Sequence, residues 1–138
     1  MRKFGHLRDK IEKKSINDIS YKIRGAIFKV YNGLGPGLLE SVYQAASMHE
    51  LLKDNLLVRS EVPVPVIYDD QKLELGFRLD LLVENKVIIE LKSVEHLADM
   101  HHKQVLTYLK LTNLKLAILV NFNVDKMTEG IFRKVNGL

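Results

Sequence analysis

The chain has 138 residues, 46% of them hydrophobic and 28% charged, the proportions of one globular domain rather than a disordered or fibrous chain. It contains no cysteine, which excludes disulfides, thiolate zinc sites and cysteine nucleophiles and suits a reducing cytoplasm. The net charge of +4 is uneven: residues 1–14 hold six Lys/Arg against two Asp/Glu, and residues 15–138 hold fifteen of each, so a basic N-terminal segment precedes a formally neutral domain.

The first segment has no apolar stretch of signal-peptide type, and the longest apolar runs, such as 116–120, fall far short of a membrane span. No signal peptide, no transmembrane helix and a cytoplasmic location are expected. From Ile16 to Tyr31, apolar residues recur at helical spacing, with Ser15 or Asn17 as N-cap and Gly33 as a stop. The glycine-rich stretch Gly33-Leu34-Gly35-Pro36-Gly37 breaks the chain. A second amphipathic helix follows over about 38–55, with Leu39, Val42 and Ala46 on successive turns.

After Val58 the period changes to two, which predicts a strand over 58–67. Pro63 and Pro65 have the same parity, so this strand belongs at an edge or carries a bulge. Asp69-Asp70-Gln71 predicts a turn, and Leu73, Leu75, Phe77, Leu79 and Leu81 a second strand. A reversal at Glu84-Asn85-Lys86 leads to a central strand over 87–91, giving a three-stranded meander. A helix over about 99–111, a strand over 115–121 and a short last strand over 131–135 complete the order helix, helix, three strands, helix, strand. The strand–helix–strand ending predicts a parallel crossover, hence a mixed α/β (α+β) sheet flanked by helices.

The chemistry concentrates at Asp80 and at Glu90-Leu91-Lys92. Strand residues two apart share a face, roughly 6 to 7 Å apart, so Glu90 and Lys92 emerge together beside Ile88. With Asp80 on the neighbouring strand, two carboxylates and the Leu91 carbonyl can share one hard cation, Mg2+ or Mn2+. Water attack on a phosphodiester needs such a cation, and a lysine offsets the charge that develops. An ordinary ion pair of Glu90 with Lys92 explains the same residues.

Two further groups point the same way. Glu40 and Tyr43 lie three apart on the second helix, where Glu40 could add an acidic ligand or simply complement the helix dipole. His101, Gln104 and Tyr108 form a polar stripe on the third helix, suited to phosphate or base contacts or to a solvated face.

The spacing Gly37-x-x-Glu40-x-x-Tyr43, Asp80, Glu90-x-Lys92 and Gln104-x-x-x-Tyr108 resembles the GxxExxY proteins, a branch of the PD-(D/E)XK nuclease-like superfamily. The resemblance spans about 17–135. It implies a restriction-endonuclease-like core over residues 15–138, in the order ααβββαβ, and places Asp80, Glu90, Lys92 and Glu40 at catalytic positions. Asp80, Glu90, Leu91 and Glu40 would then hold the metal, and Gln104, Tyr108, Tyr43 and His101 the substrate. Leu79 stands where the superfamily's nominal proline would, and Tyr31 where many relatives carry histidine. The expected function is a divalent-metal-dependent nuclease acting on DNA, with a homodimer or protein partner as an option. The competing expectation is a catalytically inactive module of the same fold that binds nucleic acid or a protein.

Overall fold

Helical apolar stripes and alternating strands must bury against one another, and in the computed structural model they do so on the two faces of one sheet. The structure describes residues 2–74 and 76–138, with side chains from residue 15 onward. Leu75 of the expected second strand therefore lies outside the described residues, as do the basic side chains of residues 1–14.

Helix α1 (Arg2–Leu34) and helix α2 (Glu40–Lys53) come first. Strands β1 (Val58–Pro63), β2 (Val66–Tyr68), β3 (Gln71–Leu73), β4 (Arg78–Val83) and β5 (Val87–Lys92) follow, then helix α3 (Asp99–Thr112), strand β6 (Leu116–Asn121) and strand β7 (Ile131–Val135). The five-stranded sheet has the order β1-β4-β5-β6-β7, antiparallel except for the β5–β6 pair. The mixed α/β architecture and the parallel crossover through α3 are as expected, and β1 is an edge strand, where its proline is tolerated.

Three local expectations are corrected. Neither Ser15 nor Asn17 caps a helix, because α1 runs continuously from Arg2. The first two expected strands are each broken, at 64–65 and between β3 and β4, where Gly76 takes φ 82. The outer pieces, β2 and β3, form a separate hairpin closed by Asp69 and Asp70, both at positive φ. Of the stripe expected to bury on α2, Leu39 (74% exposed) and Val42 (40%) face outward and Ala46 packs partly against the core, whereas Tyr43, Ser47 and Leu51 are buried. Tyr43 and Leu51 bring larger apolar surfaces to the sheet, and each fully buried side chain of that size contributes about 1.5–3 kcal/mol.

Alternate residues of β5 and β6 divide between two clusters. Val87, Ile89 and Leu91, with Leu116, Ile118 and Val120, pack under α1 and α2 against Ile23, Ile27 and Tyr43. Ile88, Ala117 and Leu119 pack under α3 against Val105, Tyr108 and Leu109. Glu90 and Lys92 share the strand parity of Ile88, which puts two charged residues at the α3-side end of the central strand.

Candidate active site

Strands β4 and β5 pair regularly from Val83↔Val87 to Leu81↔Ile89, and the ladder ends there. One residue further, side chains replace the backbone bonds. The Glu90 Oε1 accepts the Asp80 amide at 3.0 Å, and the Asp80 Oδ2 accepts the Leu91 amide at 2.7 Å. Each carboxylate thus holds the strand that carries the other. In a strand the amide and carbonyl of one residue point to the same side, so the Leu91 carbonyl faces the same opening.

Burial and repulsion dominate the electrostatics of this pair. Glu90 is 4% exposed, and burial, then the charge of Asp80, push its carboxyl up to about 8; the Asp80 amide and Lys92 pull the other way. Burial also raises Asp80, against the hydrogen bond from Leu91 and the charge of Lys92, with Glu61 and Glu40 adding to the rise. Two acids forced together, with one half-buried lysine beside them, form a site short of positive charge. The donors are all oxygen, the set that hard divalent cations prefer. Among the described residues no three His, Cys, Asp or Glu side chains converge as a metal cluster, so the close acidic donors are two, Asp80 and Glu90.

A profile of the PD-(D/E)XK nuclease superfamily matches residues 17–134. The chain belongs to this superfamily. No curated protein and no solved structure matches the chain. The matched stretch includes the acids and the lysine gathered at the opening of β4 and β5.

Around the acidic pair, the helix residues divide into two groups. Glu40 is exposed in the first turn of α2 and its charge reaches Asp80. Tyr43 is 0% exposed, stacked on Phe122 with ring centroids 4.1 Å apart. Its hydroxyl donates to the Gly35 carbonyl at 2.5 Å and accepts the Leu38 amide at 3.1 Å. Tyr43, expected at the substrate, is a fully buried ring whose hydroxyl bonds the glycine loop at the entry to α2, next to Glu40. Ser93 strengthens that link by donating to the Leu38 carbonyl at 2.6 Å, one residue beyond Lys92. Tyr31 reaches the Val124 and Asp125 carbonyls at 2.6 and 2.8 Å and ties α1 to the segment after β6.

On α3, Tyr108 lies against the acidic pair. Burial, then Glu90 and Asp80, raise its hydroxyl to about 12, and its ring meets Phe77 edge-on at 6.2 Å. Gln104 is half-buried one turn earlier. The Nδ1 of His101 accepts the Ala98 amide at 3.0 Å, and the His101 amide donates to the Ala98 carbonyl at 3.0 Å, so this residue caps α3. The other ring nitrogen, Nε2, is not used by that cap.

Sequence reasoning missed three contributors. Glu61 of β1 acts on Asp80 electrostatically and accepts Gln44 Nε2 at 2.9 Å; an acid in an edge strand carries no local signal. Phe122 supplies the stacking partner of Tyr43. Asn121, 3% exposed, brackets the backbone of Val94, accepting its amide at 3.1 Å and donating to its carbonyl at 2.9 Å. A polar residue closing the apolar run 116–120 was the available hint.

Proposed function

We propose that the protein is a divalent-metal-dependent nuclease of the GxxExxY branch, hydrolysing phosphodiester bonds of DNA. The observation that carries this is the Asp80–Glu90 pair: a buried Glu90 and a half-buried Asp80, each raised by burial and by charge repulsion, held by the Asp80 and Leu91 amides beside Lys92. Asp80, Glu90 and the Leu91 carbonyl are the residues that would hold Mg2+ or Mn2+, with Glu40 assisting from the rim. Bound there, the cation would supply positive charge for the phosphate and acidify water.

The chain's own residues do the rest. The Lys92 ammonium offsets the charge that develops on the phosphate oxygens as water attacks, and orients that water. Tyr108 walls the acids from solvent on the α3 side and keeps its proton at neutral pH, so its hydroxyl remains a donor. Gln104 and the free nitrogen of His101 face the substrate from α3.

The test is to incubate supercoiled, linear and single-stranded DNA with the protein and Mg2+ or Mn2+, alongside Lys92→Ala and Asp80→Ala. Cleavage by the wild type alone supports the assignment. Equal cleavage by all three proteins, or none by any, sinks it; DNA binding without cleavage would identify a binding module instead.

A further inference from the structure

Glu61 stands across from Asp80 on the edge strand, and at that level both strands change face. β1 pairs with β4 through Arg59↔Leu82 and Ser60↔Leu81, then through Val62↔Leu79 and Pro63↔Arg78, skipping the Glu61–Asp80 position. In regular strands Val58, Val62 and Val64 would share one face, and so would Leu79, Leu81 and Val83. They do not. Val58, Leu81 and Val83 bury in the cluster under α1 and α2, whereas Val62, Val64 and Leu79 pack in the cluster under α3.

The backbone of Glu61 accommodates the change. Its φ is 53, in the left-handed region that L-residues with a Cβ seldom occupy. A single left-handed residue turns the strand that follows it, and here it does so without an inserted residue, since the β1–β4 register is the same on either side of Glu61. Gln44 of α2 grips the Glu61 carboxylate at 2.9 Å, and Arg78 reaches its carbonyl at 3.4 Å. With the Glu61–Asp80 pairing missing, the Asp80 amide turns to β5 and meets the Glu90 carboxylate at 3.0 Å.

Resting on the reading of Asp80 and Glu90 as the cation's ligands, we infer that Glu61 is a positioning residue for that site: its left-handed backbone sets the face change that lets Asp80 turn toward Glu90. The conformation performs this role, and the carboxylate serves as a tether.

Three substitutions remove the carboxylate but differ in backbone freedom. Glycine adopts a positive φ freely and asparagine readily, whereas valine strongly resists it. Two readouts are needed: Mn2+ affinity by isothermal titration, and the face occupied by the Leu79 methyls from their NOEs to Val105 and Leu109. Glu61→Gly and Glu61→Asn should keep the wild-type affinity and the Leu79 NOEs. Glu61→Val should weaken Mn2+ binding by about tenfold or more, the usual effect of losing support behind a metal ligand, and should abolish those NOEs. Glu61→Ala, a milder penalty on the left-handed backbone, takes the place of the valine variant should the latter not fold. The inference is overturned if the glycine variant loses as much as the valine variant, or if valine changes neither readout. A wild type that binds no Mn2+ defeats the metal reading, and the Leu79 NOEs then decide the role of Glu61 alone.

Discussion

Asp80 and Glu90 each accept a backbone amide next to the other, Glu90 from Asp80 at 3.0 Å and Asp80 from Leu91 at 2.7 Å. The strands are thus locked together by groups that also repel one another. Asp80→Asn keeps an oxygen that can accept the Leu91 amide but removes a charge. The variant should fold, be at least as stable as the wild type at pH 8 without metal, and lose cleavage by about a thousandfold, the rate equivalent of some 4 kcal/mol. Chemical denaturation and a plasmid-nicking assay check the two halves separately; a stable variant with full activity would remove Asp80 from the mechanism.

Stability should fall with rising pH in the absence of metal. The Glu90 carboxyl is pushed up to about 8, against an ordinary 4.5. Between those values the folded protein holds a proton that the unfolded chain has released, so the folded state loses ground as the pH rises from about 4.5 and the slope flattens above about 8. Asp80 is raised too and adds in the same sense. Urea midpoints at pH 5, 6.5 and 8 in EDTA should therefore descend. Glu90→Gln should flatten the trend, and Mg2+ should reverse it, because a cation binds the deprotonated pair.

Tyr43→Phe isolates the motif tyrosine. The ring still stacks on Phe122, but the Gly35 carbonyl and Leu38 amide lose their partner. A cost of about 1 kcal/mol in stability is expected. Cleavage should fall less than for Asp80→Asn, since the effect passes through the placement of Glu40. Loss as complete as that of Asp80→Asn, with unchanged stability, would return Tyr43 to the substrate.

Asp80, Glu90 and Lys92 were legible because strand parity is a strong constraint: a charged Glu-x-Lys closing the apolar run from Val87 has few structural uses. The parallel crossover was legible for the same reason, since two apolar runs flank one helical period. Leu39 and Val42 misled because α2 buries a different stripe, and short helices with several apolar positions offer more than one. The break at 64–65 was signalled in part by Pro63 and Pro65, and the one between β3 and β4 by Gly76, which takes a positive φ. The left-handed turn at Glu61 was not legible: it depends on how β1 and β4 meet the two core faces, a tertiary condition with no local preference behind it at a glutamate.

The remaining question of substrate turns on where the positive charge lies. Residues 15–138 carry equal numbers of Lys/Arg and Asp/Glu, so the surplus of four belongs to residues 1–14, of which 2–14 form the start of α1 without a break. Among the described side chains of that helix, Ile16 is the first that is buried, and the core clusters draw on residues from Ile16 onward; removal of residues 2–14 should leave that core standing. If the basic stretch grips DNA, the truncated protein binds more weakly, and its log–log salt dependence flattens by about 0.9 for each phosphate it no longer neutralises. Turnover at saturating DNA should not change, because Asp80, Glu90 and Lys92 are untouched. Fluorescence anisotropy with a labelled duplex from 50 to 200 mM salt measures the slope, roughly the range over which phosphate neutralisation is most visible. An unchanged slope would assign DNA binding to the neutral domain and leave the basic stretch without a role in it.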